Sequence, residues 1–290
     1  MKSIISGYIQ LTKPPIMLLV VFSGATSLFL EGSLIKSMDL LSFILILTGL
    51  FLTGGSANAL NQYFERNIDA KMTRTMKRRP LPQGKISSKG ALIFSSLIGI
   101  IGVIIFAIFF NWLSALLSLG TILFYSLFYT LYLKPNTPQN IVIGGVAGAM
   151  PPLIAWAAVT TSIFNAPPWI LFLIIFFWTP PHFWALALYF KDDYKEVSYP
   201  MHPVVKGDKA TLRLMFIYTL ILVGITLLMM AANAKWLYLL VSVVLGALFI
   251  KKSYETMKYN TRELQRGLFG YSIIYLFALF FALIFDNFIF

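Results

Sequence analysis

The sequence predicts an all-α membrane protein: nine transmembrane helices in one domain spanning 1–290, arranged as two four-helix halves plus a ninth helix. Three observations predict it. The 290 residues are 58% hydrophobic and 12% charged with a mean hydropathy of +0.79, whereas a soluble domain is roughly one-quarter charged. Apolar runs of spanning length, about 20 residues, recur nine times. The charge left over is confined to the segments that an alternating chain would place on one membrane face.

The runs fall near 14–32, 40–63, 90–110, 113–132, 141–162, 168–190, 211–233, 236–250 and 268–287. The first follows MKSIISGYIQLTKPP, which has no acidic residue and no small-residue cleavage site, so no removable signal is expected and the first helix stays. The third and fourth are split at Asn111-Trp112, because together they are too long for one bilayer crossing. The fifth carries Gly144-Gly145, Gly148 and Pro151-Pro152, a composition for close helix packing and a kink. The sixth contains Pro180-Pro181 and one of only two histidines, His182.

An odd number of crossings puts the termini on opposite sides. Of the 23 Lys and Arg residues, 21 lie before the first helix, in the loops after the second, fourth, sixth and eighth, or at adjoining helix ends; only Lys36 and Lys235 lie opposite. The positive-inside rule then places the N-terminus in the cytoplasm and the C-terminus outside. A formal charge of +12 would point to nucleic acid in a soluble protein; here it is first a topology signal, and the expected surroundings are the lipid bilayer of a bacterial-type inner membrane. The absence of cysteine excludes disulfides, thiolate metal sites and C-x-x-C-H haem attachment.

The acidic residues carry more chemistry. Five of the 11 crowd into two places on the cytoplasmic face: Glu65 and Asp69 after the second helix, and Asp192, Asp193 and Glu196 after the sixth. Asn61, Glu65 and Asp69 are spaced i, i+4, i+8, so on a helix three oxygen-bearing side chains share a face. Such a set suits Mg2+, which is hard, oxygen-seeking and commonly bridges carboxylates to substrate phosphates. Arg74, Arg78 and Arg79 follow within a few turns, and guanidinium pairs bidentately with phosphate. Metal-binding carboxylates beside phosphate-binding arginines describe a diphosphate site. The competing reading is a helix end whose acids only balance nearby arginines. Asp192 and Glu196 repeat the i, i+4 spacing and are expected to hold a second magnesium with Lys191 beside them, while Asp193 is expected to face solvent.

Further candidates are Tyr125 and Tyr129 on the fourth helix, Lys134 at its cytoplasmic end and Asn140 entering the fifth. Their polar groups could reach the diphosphate, and the rings could stabilise a cation; the tyrosines also fit ordinary interfacial anchoring. His182 lies about 10 residues from Asp192, roughly 15 Å of helix rise, well inside the bilayer. An ionisable group there is a functional candidate, unless it only caps a carbonyl freed by Pro180 or Pro181.

Two aspartate-rich motifs of this kind resemble the UbiA superfamily of intramembrane prenyltransferases. The runs WTPPHFWALALYF, NIVIGGVAGAMPPLIAWAA, RTMKRRPLPQG and DDYKEVSYPMHPVVKG narrow the likeness, over nearly the whole length, to the haem O synthase family within it. The resemblance implies a UbiA-type bundle, magnesium as cofactor, and transfer of farnesyl from farnesyl diphosphate to a vinyl group of haem B. It implies catalytic roles for Asn61, Asp69, Arg74 and Asp192, metal ligation by Asn61, Glu65, Asp69, Asp192 and Glu196, and diphosphate contacts from Arg74, Arg78, Lys134, Tyr129, Asn140 and Lys191. Glu65 stands where many members of the wider superfamily have Asp. The haem contacts it implies are His182 with Trp178 and Trp184, and His202 as a second candidate. A haem A synthase or terminal oxidase is the implied recipient of the product. Two other readings stand against it: prenylation of an aromatic quinone precursor by the same chemistry, and a secondary transporter, whose acidic groups would belong nearer the bilayer midplane.

Overall fold

A computed structural model of the chain describes residues 2–232 and 234–289. Among them are nine helices long and apolar enough to cross a membrane, and no strand. Ahead of the first crossing lies an amphipathic helix, α1 (Lys2–Leu11), that the sequence reading did not separate. It leaves Ile4, Ile5 and Ile9 exposed and buries Leu11. Lys13 then turns the chain through a left-handed conformation (φ 53°), and Pro14-Pro15 open α2 (Pro14–Glu31), where a missing N–H is no loss. Gly32, at φ 82°, ends α2 and returns its N–H to the Leu28 carbonyl.

The Asp39 side chain caps α3 (Leu40–Asp69) by accepting from the Ser42 N–H at 3.0 Å. At 30 residues, α3 is roughly 45 Å long, against roughly 30 Å of hydrocarbon, so its last turns carry Glu65 and Asp69 beyond the apolar slab. α4 (Ser88–Phe109) packs tightly on α3 and presents Ile93, Leu97, Ile100, Ile104 and Ile108 outward at helical spacing, a lipid-facing stripe. The chain turns at Asn111, whose carbonyl oxygen caps α5 (Trp112–Asn136) while its amide donates to the Ala157 carbonyl at 2.7 Å.

α5 winds as a π-helix over Phe124–Leu133. α6 (Asn140–Thr160) is interrupted at Met150, before Pro151. α7 (Ala166–Tyr189) contains the Pro180-Pro181 pair and continues after a break at Phe190 into a short helix, Lys191–Glu196. α8 (Gly207–Ala232), α9 (Trp236–Tyr259) and α10 (Arg262–Ile289) complete the bundle.

Two large apolar cores divide it, beside a small third cluster of Leu11, Ala59, Ile86 and Ala91. One joins α2, α3, α4, α5 and the Pro151–Thr160 half of α6 through Leu28, Leu50, Phe106, Ala115 and Ile154. The other joins α7 to α10 with the Asn140–Ala149 half of α6 through Ile141, Leu171, Met215, Phe249 and Leu279. α10 is not a peripheral addition: it packs on α7, α9 and α2, so the ninth crossing closes the second half against the first.

Candidate active site

Between the two cores lies a cavity of about 800 Å³, within the size range of small-molecule sites. Its polar end is lined by Lys13, Asn61, Arg74, Arg78, Arg79 and Lys134; its body is apolar and aromatic, with Tyr125, Tyr129, Trp178, His182, Phe183 and Phe269 on the walls.

The polar end is built on the last turns of α3. Asn61, Glu65 and Asp69 are each only 2% exposed. The Glu65 carboxylate is held by Arg79 at 3.1 Å and by the Lys134 ammonium, and accepts from the Tyr199 hydroxyl at 3.4 Å. Asp69 pairs with the same Arg79 guanidinium. Asn61 accepts from the Lys13 ammonium at 3.2 Å and donates to the Thr130 hydroxyl at 3.1 Å. Thr130 in turn donates to the Tyr125 carbonyl five residues back, so the π-winding of α5 is tied to the α3 site. The same winding stacks Tyr125 on Tyr129, with centroids 5.1 Å apart and planes at 15°, both on the cavity wall. Gly144 permits this: a Cβ there would collide with the Tyr129 ring.

Burial lowers the Lys13 ammonium to about 7, and the nearby Arg79 charge pushes the same way. Arg79 is held above its ordinary value: burial opposes its charge, but the Glu65 and Asp69 carboxylates outweigh burial. Burial also raises the Tyr199 hydroxyl, reinforced by the Glu65 charge.

The acidic set on α3 therefore sits behind Arg79 and Lys134, and what the cavity itself displays is an excess of positive charge suited to an anion. The oxygen donors of Asn61, Glu65 and Asp69 are of the kind that fits a hard divalent ion. Among the described residues no three His, Cys, Asp or Glu side chains converge as a ready metal cage.

The second acidic set is placed differently. Asp192 is exposed and paired with Arg262 at 3.4 Å, Glu196 is also exposed, and Lys191 pairs with Asp208 at 2.5 Å. The expectation that Asp192 and Glu196 face inward while Asp193 faces solvent is corrected: Asp193 accepts the Arg74 backbone N–H at 3.2 Å. The break at Phe190 resets the rotation of the Lys191–Glu196 helix, so Tyr194 is its buried residue and receives the Arg74 guanidinium at 3.3 Å. Arg74 reaches the cavity with its Nε buried and unpartnered. Arg78 lies exposed at the cavity edge.

Asn140 is fully buried and donates to the Thr137 carbonyl at 2.6 Å, away from the cavity wall. His182 and Trp178 line the cavity, stacked at 4.2 Å. His182 bonds Ser272 on α10 through Nδ1 at 2.7 Å rather than capping a proline-freed carbonyl. Trp184 and His202 lie elsewhere, packed on each other at 5.2 Å, with His202 Nδ1 on the Thr211 hydroxyl at 2.8 Å. Burial, aided by Lys206, holds His202 below the usual imidazole value.

Sequence reasoning missed Lys13 and Tyr199 as site residues and gave Arg79 no separate role. Lys13 had a signal, a cation directly before the Pro-Pro that opens the first apolar run. Tyr199, in an irregular loop, had none.

The UbiA prenyltransferase family model matches residues 17–284. Proteins named protoheme IX farnesyltransferase are 42% identical in Rippkaea orientalis, covering 98% of this chain and 88% of that one, and 44% identical in Picosynechococcus, covering 98% and 90%. Among solved structures, a digeranylgeranylglyceryl phosphate synthase superposes with a TM-score of 0.79 at 20% identity, covering 99% of both chains. A UbiA homolog from Archaeoglobus fulgidus bound to DMAPP and Mg2+ superposes at 0.62 and 17% identity, covering 96% of this chain and 99% of that one. The chain therefore belongs to the UbiA prenyltransferase family, among the relatives that carry the name protoheme IX farnesyltransferase.

Proposed function

We propose that this single-domain protein transfers the farnesyl group of farnesyl diphosphate to a vinyl group of haem B, giving haem O for haem-copper terminal oxidases. The observation that carries the reading is one cavity holding both a buried cationic end and, on its aromatic wall, an intramembrane histidine. Magnesium, held by Asn61, Glu65 and Asp69, would supply positive charge against the diphosphate leaving group.

The chain's own groups do the rest. Arg74, Arg78, Arg79, Lys134 and protonated Lys13 bind the diphosphate oxygens and stabilise the charge that grows on them as the C1–O bond breaks. The stacked faces of Tyr125 and Tyr129 stabilise the allylic cation through their ring quadrupoles. The apolar walls receive the isoprenoid tail and keep water from the cation. Haem lies against Trp178 and Phe269 with its iron toward His182. The vinyl π electrons form the new bond to farnesyl C1, the resulting charge sits on the vinyl carbon next to the porphyrin, and water adds there with loss of a proton. Diphosphate departs toward the cytoplasmic end. A haem A synthase or terminal oxidase assembly then receives the product.

Detergent-purified protein given farnesyl diphosphate and Mg2+ together with haem B and a phenolic quinone precursor as competing acceptors should yield haem O by mass spectrometry, with no ion gradient; a farnesylated phenol as the sole product would overturn the reading. The N-terminus and active site face the cytoplasm and the C-terminus faces outside, supported by the Lys and Arg distribution. Because the chain has no cysteine, single cysteines at Ser198 and Lys36 with a membrane-impermeant thiol reagent test this: label reaching Ser198→Cys from outside reverses the orientation.

A further inference from the structure

We propose that Ser272, on α10, is a positioning residue that presents the Nε2 lone pair of His182 to the iron of the bound haem. The inference rests on the reading that haem occupies the cavity against His182.

Ser272 Oγ lies 2.6 Å from the Phe269 carbonyl and 2.7 Å from His182 Nδ1. A carbonyl only accepts, so the single hydroxyl proton of Ser272 goes to Phe269, and the proton shared with the histidine belongs to Nδ1. An imidazolium without a carboxylate partner is costly to bury, and the ring's neighbours are Trp178, Phe183 and Phe269. The ring is therefore neutral, and Nε2 is left as the lone-pair nitrogen. His182 Nε2 makes no hydrogen bond among the described residues, and His182 lines the cavity.

The ring plane is fixed as firmly as the tautomer. Trp178 stacks on one side at 4.2 Å and 18°, and Phe269 stacks at 4.4 Å and 26°. Trp178 is itself anchored, donating its indole N–H to the Ser272 carbonyl at 2.7 Å. One turn of α10 thus holds the tautomer, the plane and the flanking aromatic. Ser272 is fully buried and does not line the cavity, so it acts only through His182. This is the arrangement by which an outer partner orients a ligating histidine and raises its basicity.

Two measurements test it. Nitrogen NMR of wild-type protein carrying isotope-labelled histidine, with the second signal assigned through His202→Gln, should show the Nδ1–H tautomer for His182; an Nε2–H tautomer overturns the proposal without any change at Ser272. Titration with haem B, followed by the Soret band, should show Ser272→Ala weakening haem binding about tenfold while inorganic pyrophosphate binding stays as in wild type. Ser272→Thr, which keeps the hydroxyl, should restore haem binding. Unchanged haem affinity and Soret position in Ser272→Ala, with the shift lost in His182→Ala, would sink the role of Ser272 and leave the haem reading standing. An unchanged Soret band in His182→Ala would overturn both.

Discussion

The C-terminal ends of α3 and α7 carry the same pattern, carboxylates at i and i+4 beside basic residues, yet fold to opposite environments. On α3 the helix runs unbroken past the membrane, and Glu65 and Asp69 stay in register with Asn61, buried under Arg79 and Lys134. On α7 the helix breaks at Phe190, and Asp192 and Glu196 turn to the surface. Spacing sets which side chains share a face; whether the face looks inward depends on the continuity of the helix beneath it.

The largest expected effect is on the α3 side. Asp69→Asn removes one carboxylate from the donor set and should lower Mg2+-dependent haem O formation by about 10²–10³-fold, the range for a lost electrostatic contact to a developing charge; wild-type turnover would remove Asp69 from the metal site. His182→Ala comes next: the Soret shift of bound haem should vanish and affinity fall by at least tenfold or so, since losing only an outer partner of a ligand typically costs that much. Unaltered haem spectra would exclude ligation.

Lys13 should give a smaller, pH-dependent effect. With its free-state pKa lowered to about 7, it is largely neutral at pH 8, and an arriving diphosphate favours its charged form. Binding should therefore take up a proton, and affinity should fall by up to about tenfold per pH unit above 7, until the pKa of the bound state is passed. Calorimetry of pyrophosphate binding in buffers of different ionisation enthalpy measures the uptake, and Lys13→Arg should abolish it. The smallest effect belongs to the α7 end: Asp192 forms an exposed pair worth about 0–1 kcal/mol, so Asp192→Asn should change turnover less than about twofold. A loss matching that of Asp69→Asn would show that the surface acids move inward on substrate binding and would erase the contrast.

Much of the bundle was legible in the residues. Runs of apolar side chains leave the backbone no way to satisfy itself in lipid except as helices, so the nine crossings follow from composition and length, while their ends do not: the helices run on through polar residues to Asp69 and Tyr259, and the last begins at Arg262. The α3 donor set was legible too, because periodicity alone aligns Asn61, Glu65 and Asp69. Arg74, Arg78 and Lys134, singled out as cations close to it in the sequence reading, line the same cavity as Asn61.

What the residues could not display are contacts between segments distant in the chain. Lys13 reaches Asn61 across 48 positions, Tyr199 reaches Glu65 across 134, and Ser272 reaches His182 across 90. The sequence by itself determined a nine-helix membrane bundle with a carboxylate-bearing helix end beside arginines. Only the tertiary structure decided that Arg79 covers those carboxylates, that Asp193 rather than Asp192 or Glu196 turns inward, and that Asn140, His202 and Trp184 lie off the cavity. The physical reason is that periodicity is a local property of one helix, while burial and pairing depend on which helices meet.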